Sequence, residues 1–316
     1  MQVKHGTIQP GSGPVALTIG NFDGIHRGHR AMLGRLIARS RELGLPACVL
    51  TFEPHPREFF ARGAGAAGAP PVRLTRLREK LERMAEAGVD RVHILRFDAR
   101  LAAMAAPRFL EEMLVRGLEA RWLLVGRDFR FGARRAGDYA LLASEAGRLG
   151  YELEPMHDVL QEGTRVSSSG VRAALEAGDL ARAARLLGRE YSMSGRVAHG
   201  EKLGRTLGFP TANIIVRRVP PLAGIFAVRA ELEELGQVRH GVACVGRRPT
   251  VREGAAPLLE VHLFDWQGDL YGRHLRVTFL EKLRDEEKYD GVEALRAAIS
   301  RDAERAREFF MKASAA

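Results

Sequence analysis

Between Val15 and Met156 the chain alternates strand-like and helix-like stretches, and beyond Arg189 that alternation stops. Val15–Ile19, Ala47–Phe52, Arg91–Phe97, Arg121–Val125 and Tyr151–Met156 read as strands. Between them, the segment Arg27–Leu43 places Met32, Leu33, Leu36, Ile37 and Leu43 on one helical face. The pattern also predicts helices over Arg73–Ala87 and Asp138–Leu149. Pro107 opens another to about Gly117, at a first-turn position where its missing N–H costs little. Repeated βα units predict an α/β, Rossmann-like domain, a parallel sheet covered by helices with ligands at the carboxyl ends of its strands. Two short helices, Val171–Ala177 and Leu180–Leu187, should follow. Short β-type runs then dominate: Ser192–Ala198, Gly224–Leu232, Gln237–Val245, Leu258–Leu263 and Leu275–Leu280. They predict a small antiparallel β-barrel, with Glu287–Met311 as a C-terminal helix. The expected domains are 1–187 and 188–316. Gly63–Pro71, rich in Gly, Ala and Pro, reads as a loop, a surface insertion rather than a lid.

Composition excludes several classes. No apolar run approaches the roughly 18 residues that span a bilayer, and Met1–Gly6 lacks the apolar core of a signal peptide. Cys48 and Cys244 are isolated, which argues against a disulfide framework or a zinc site and makes a reducing cytoplasm the default. The net charge of +10 invites a nucleic-acid reading, but the basic excess is dispersed, 29 against 22 over residues 1–190 and 20 against 17 over 191–316. Attraction of anionic phosphate substrates explains its sign equally well, so neither nucleic acid nor membrane is an expected partner. Oligomeric state is not legible.

Two motifs carry chemistry. The first, Gly20-Asn21-Phe22-Asp23-Gly24-Ile25-His26-Arg27-Gly28-His29, lies between a strand and a helix. Gly28 permits close backbone approach, the helix N-terminus presents free N–H groups to phosphate, and two imidazoles there suit a leaving pyrophosphate. No Walker-type G-x-x-x-x-G-K-[ST] occurs. The segment resembles the HxGH motif of nucleotidylyltransferases. With Thr51-Phe52-Glu53-Pro54-His55-Pro56, it is similar to the adenylyltransferase half of prokaryotic bifunctional riboflavin kinase/FAD synthetases. Gly126–Gly132 resembles that family's flavin-side loop, and Arg165–Arg172 its late phosphate-binding segment. The resemblance implies His26 and His29 as catalytic groups. It implies ATP contacts from Gly20, Asn21, Phe22, Gly28, Arg165, Ser168, Ser169 and Arg172, and flavin contacts from Asp128 and Phe129. Ser169 stands where many relatives have Thr. Ser167–Ser169 reads equally as a helix N-cap, and His55 either packs or touches ATP.

The second motif is Gly204-Arg205-Thr206-Leu207-Gly208-Phe209-Pro210-Thr211-Ala212-Asn213. Glycines at 195, 200 and 204 expose backbone N–H groups to phosphate. Thr211 and Asn213 offer hard oxygens suited to Mg²⁺. The phrase resembles the riboflavin kinase signature, which adds Lys202 and Pro210 to the ATP site. Pro221–Val228 and Gly246-Arg247-Arg248-Pro249-Thr250 continue the likeness, with Phe226 where Tyr is common. Leu259–Asp265 is similar to the strand bearing the family's general base, here Glu260, with His262 a structural neighbour. The resemblance implies that ATP and riboflavin give FMN at the C-terminal site. FMN and a second ATP then give FAD and pyrophosphate at the N-terminal site, both steps with Mg²⁺. Flavins are substrates and products here. A different HxGH nucleotidylyltransferase would leave GRTLGFPTAN unused, and a flavin sensor would not need both sets of residues.

Overall fold

Every position of Val15–Ile19 is buried, as a strand covered by helices on both faces requires. Among the described residues it is one of six strands in a sheet: β1 (Gln2–His5), β2 (Val15–Ile19), β3 (Ala47–Glu53), β4 (Arg91–Arg96), β5 (Ala120–Gly126) and β6 (Glu152–Met156). They pair parallel throughout, in the order β1-β4-β3-β2-β5-β6. The computed structural model describes residues 1–8, 10–61, 70–200, 203–216, 218–246 and 257–314. The loop expected over Gly63–Pro71 therefore lies mostly outside the described residues. From β2 the chain runs to one side through β3 and β4, then crosses to the other side for β5 and β6. That reversal at the carboxyl end of β2 is where open α/β sheets take ligands.

Helix α1 (Arg27–Leu43) buries Leu33, Leu36 and Ile37 and stops at Gly44, which is left-handed at φ 65°, a conformation glycine adopts without penalty. Helix α2 (Pro56–Ala61) follows β3, and α3 (Leu77–Glu86) precedes β4. The latter starts at Leu77 rather than Arg73, because the Glu79 carboxylate accepts the Arg76 N–H at 2.8 Å and fixes the first turn there. Short helices α4 (Ala99–Ala102) and α5 (Ala106–Arg108) lead into Phe109–Gly117, which is π-helical where the pattern predicts α. Its last turn is closed by Leu118 N–H on the Met113 carbonyl at 3.0 Å, five residues back. Helix α6 (Tyr139–Leu149) is capped by Asp138 on the Leu141 N–H. A ribbon of β7 (Leu160–Gln161) and β8 (Thr164–Arg165) follows.

The chain forms two compact units, Met1–Pro71 with Arg76–Val166, and Val72–Thr75 with the chain from Ser167 onward. Helices α7 (Ser168–Glu176) and α8 (Leu180–Leu187) thus belong to the second unit, which begins before the 187/188 boundary read from the sequence. The Ser167 hydroxyl accepts the Gly170 N–H at 3.2 Å, so α7 starts earlier than its apolar pattern. In the same unit Arg172 Nε donates to the Val72 carbonyl at 2.6 Å and Tyr191 Oη to that of Leu74 at 3.2 Å.

Strands β9 (Ser192–Ala198), β10 (Ala212–Ile215), β11 (Gly224–Leu232), β12 (Gln237–Val245), β13 (Leu258–Leu263) and β14 (His274–Arg284) close into an antiparallel barrel ordered β10-β13-β12-β11-β14-β9. Helix α9 (Leu203–Thr206) precedes β10, and α10 (Val292–Ser314) ends the chain. The latter begins at Val292 rather than Glu287 because Gly291 sits at φ 112°, outside the helical region. Since Val171, Leu175, Leu186 and Leu187 are buried, a fragment starting at Ser167 should melt above one starting at Gly188. Each fully buried aliphatic side chain contributes about 1.5–3 kcal/mol. A difference of roughly 10 °C or more should appear by calorimetry. Equal melting temperatures would show that α7 and α8 do not stabilise this unit.

Candidate active sites

The turn after β2 is held in an uncommon backbone path. Phe22 and Ile25 lie at φ 48° and 41°, and Gly24 at φ 90°. Non-glycine residues in that region cost of order 1–3 kcal/mol each and persist only where the surroundings over-determine them. Here both side chains are buried in the core with Leu33 and Leu36 of α1. The Lys80 ammonium also donates to the Asn21 carbonyl at 2.7 Å.

The turn delivers two histidines to the start of α1. His26 is the N-cap, its Nδ1 accepting the His29 N–H at 3.3 Å. The rings stack with centroids 3.7 Å apart and 15° between planes, and the Phe22 ring lies 5.0 Å from His29. Burial, then the charges of His26 and Lys80, hold His29 well below the usual imidazole range, so it is neutral at pH 7. His29 Nδ1 and Asn21 Oδ1 are buried without a hydrogen-bond partner among the described residues. Buried polar atoms are normally bonded, and a helix N-terminus leaves further N–H groups open. The His29 ring and the open N–H groups can meet an anionic ligand, whereas the Asn21 Oδ1 acceptor suits a donor or a cation. A Cβ at Gly28 would stand 3.2 Å from the His26 ring and 3.5 Å from the Val166 carbonyl, so glycine preserves the approach. Gly20 likewise abuts the Phe22 ring, at 3.1 Å.

Past β5, Asp128 pairs with Arg165 of β8 at 2.6 Å, and Arg165 also reaches Asp158 at 2.8 Å. Both partners of the first pair are more than half exposed, so the bridge contributes little stability and is replaceable by ligand contacts. Phe129 stacks on Phe131 at 5.5 Å. His55 is buried, with Nδ1 accepting the Arg57 N–H at 3.1 Å. Ser168, Ser169 and Arg172 fall in the second unit; of the three serines, Ser167 makes the cap. The sequence reading assigned nothing to Lys80. Its signal is compositional: only six of the chain's 49 basic residues are lysine.

In the barrel, register assembles the second site. Ala198 pairs with Asn213, Asn213 with Glu260, and Glu260 with Cys244. Ala212, Ile214, Leu259 and Val261 are buried on the inward face, so this row lies on the outer one. Directly paired residues hold their Cβ atoms about 4.5–5.5 Å apart, which makes the Asn213 amide and the Glu260 carboxylate neighbours. Asn213 Oδ1 is buried without a hydrogen-bond partner among the described residues. A Cβ on Gly200 would meet Asn213 Nδ2 at 2.1 Å, and one on Gly204 would meet the Phe209 carbonyl at 2.4 Å and Thr211 Oγ1 at 3.4 Å. These two glycines therefore let the backbone close onto Thr211 and Asn213. Gly195, by contrast, lies within β9 in the row of Met193 and Val197, on the opposite face from Ala198.

The Pro210 carbonyl accepts His262 Nδ1–H at 2.9 Å, and the Phe209 ring meets the His262 ring edge-on. Beside them is a cavity of about 400 Å³ lined by Leu207, Gly208, Phe209, Glu293, Arg296, Ala297 and Ser300, within the range of small-molecule sites. Burial, then the carboxylates of Glu286 and Glu260, push the Cys244 thiol up. Lys202 and the turn residues Arg247–Thr250 lie outside the described residues. Among the described residues no cluster of three His, Cys, Asp or Glu side chains is placed to hold a metal ion. No described helix is long and apolar enough to cross a membrane.

A family model described as FAD synthetase matches residues 9–170, and one described as riboflavin kinase matches residues 187–310. The chain is 47% identical over 308 residues to the bifunctional riboflavin kinase/FMN adenylyltransferase of Escherichia coli (strain K12), covering 97% of this chain and 96% of the relative. The chain belongs to the bifunctional riboflavin kinase/FMN adenylyltransferase family. The member from Pseudomonas fluorescens is 46% identical, with 97% of each chain covered. The member from Bacillus subtilis (strain 168) is 31% identical, covering 97% of this chain and 96% of its own. A solved structure from Streptococcus pneumoniae, described as a macrolide-efflux protein, shares the fold. Its TM-score is 0.80 at 26% identity, with 97% of this chain and 99% of that one covered.

Proposed function

We propose that this chain makes FAD from riboflavin in two ATP-using steps, one on each unit. The supporting observation is that each family model falls on one of the two constellations, FAD synthetase on the His26/His29 turn and riboflavin kinase on the Asn213/Glu260 row. The chemistry divides at 187/188, with α7 and α8 packing on the kinase side without contributing to its reaction. Both substrates and products are water-soluble, which suits the cytoplasm.

In the kinase, Glu260 accepts the proton of riboflavin's terminal hydroxyl as that oxygen attacks the γ-phosphorus of ATP and ADP leaves. The cavity beside Phe209 takes the flavin ring system, and the backbone around Gly200 and Gly204 closes over the phosphates. The buried, unpartnered Asn213 Oδ1 and the Thr211 hydroxyl are a donor set that fits Mg²⁺, a cation that binds hard oxygens and leans on substrate phosphates. Bound there, Mg²⁺ neutralises charge on the nucleotide phosphates.

In the adenylyltransferase, an FMN phosphate oxygen attacks the α-phosphorus of ATP and pyrophosphate leaves. Neutral His29 and the capping His26 orient the triphosphate and donate hydrogen bonds that strengthen as charge builds on the departing oxygens. Asp128 and Phe129 contact the flavin, and the phosphate role of Arg165, Ser168, Ser169 and Arg172 rests on the resemblance.

Phe209→Ala removes an aromatic wall of the kinase cavity. It should raise KM for riboflavin about tenfold, equivalent to about 1.4 kcal/mol, with KM for ATP within about twofold. An unchanged riboflavin KM would place the flavin elsewhere. For the other half, FMN, ATP and Mg²⁺ supplied without riboflavin should release pyrophosphate in step with FAD formation. Absence of pyrophosphate would overturn the adenylyltransferase assignment.

A further inference from the structure

Lys80 is 1% exposed, an unusual place for a lysine, which is almost never fully buried without partners. Its ammonium sits on α3, outside every motif, yet its contacts lead into the first site. It donates to the Asn21 carbonyl at 2.7 Å and to Thr51 Oγ1 of β3 at 3.5 Å, and the Thr51 hydroxyl itself lies 3.4 Å from that same carbonyl. Asn21 begins the strained path through Phe22 and Ile25 that ends at the His26 cap. A carbonyl held by a charge-assisted bond in a buried setting is hard to displace, so this contact holds the start of the turn beside the burial of Phe22 and Ile25. A lysine ammonium is a compact point charge with three donors, whereas an arginine guanidinium is a planar fork with five.

We propose that Lys80 is a positioning residue for adenylyl transfer: its buried ammonium fixes the Asn21–His26 turn, and through it the stacked imidazoles, in the conformation that meets the nucleotide phosphates. This rests on the adenylyltransferase reading of the first unit. The Lys80 charge is also one of the causes that keep His29 neutral. The same elements also carry Asp23 and His26 of the turn, Cys48 and Glu53 of β3, Glu79 of α3 and Arg27 and Arg30 of α1.

The test compares full-length Lys80→Met and His29→Ala proteins in FMN adenylylation, with riboflavin kinase activity as the internal control. Lys80→Met should lower kcat for FAD formation at least tenfold per folded molecule, change KM for FMN less than threefold and leave the kinase unaltered. In the same variant, the His26 and His29 ring resonances should shift in the NMR spectrum, as a displaced turn requires, while those of the barrel histidines stay in place. If His29→Ala abolishes FAD formation while folded Lys80→Met keeps kcat within threefold, or if the His26 and His29 resonances are unmoved, the positioning role is overturned and the site assignment stands. If His29→Ala itself leaves FAD formation intact, the site assignment falls first. Should Lys80→Met fail to fold, lysine-ammonium NMR on the unmodified protein decides. A slowly exchanging ammonium with through-space contact to Thr51 supports the clamp, and a spectrum without one overturns it.

Discussion

His29→Ala should lower FMN adenylylation by about 10²–10³-fold, the usual loss for one preorganised donor to a developing oxyanion, with riboflavin phosphorylation near the parent value. The expectation follows from the state of the ring. Burial and the neighbouring His26 and Lys80 depress its proton affinity, so at pH 7 it donates a hydrogen bond as a neutral imidazole and carries no charge that water must solvate. Its Nδ1 has no partner among the described residues, so truncation to alanine breaks none of their hydrogen bonds at that atom. The ring's stacking on His26 at 3.7 Å is lost; His26 keeps its cap, because the bond it accepts comes from the His29 backbone, which alanine retains. The variant should therefore fold and still bind ATP, and the loss should appear in kcat. Full FAD synthesis by purified His29→Ala would show that the turn after β2 is not the reacting site.

Glu260→Gln should cost the kinase about 10²–10⁴-fold in kcat, the range typical of a general base. Glutamine keeps the length of the side chain and its hydrogen-bonding capacity while removing its basicity. The outer-row position beside Asn213 leaves the barrel interior untouched, so stability should change little. FMN adenylylation should persist, because none of the residues assigned to it lies on the barrel strands that carry Glu260 and Asn213. A kinase rate reduced less than about threefold would remove the general-base role and leave Glu260 as an ordinary strand residue.

The barrel strands that alternate cleanly, such as Leu258–Leu263 with Leu259, Val261 and Leu263 inward, were legible to the residue, as were Val15–Ile19 and Arg27–Leu43. Elements without a periodic signal were not. Strand β10 has four residues and begins at the end of the Gly- and Pro-punctuated motif, too short for alternation to register. Strand β1 is equally short and sits at the sheet edge. The two motifs were visible because their residue types and spacing are local. What could not be read is non-local. The assignment of Val72–Thr75 and of α7 and α8 to the second unit depends on tertiary packing. The placing of Glu260 between Asn213 and Cys244 depends on strand register, which a one-residue slip would reverse. Lys80 was invisible for the same reason, since a lysine on an amphipathic helix reads as solvated until its partners 59 and 29 residues away are known.

The most direct measurement is a time course of the full-length protein with riboflavin, excess ATP and Mg²⁺, with the flavins separated by chromatography. The account predicts that riboflavin falls, FMN rises first, and FAD then accumulates at the expense of FMN, with one pyrophosphate released per FAD. Riboflavin that remains unphosphorylated, or FMN that accumulates without ever being converted to FAD, would contradict it.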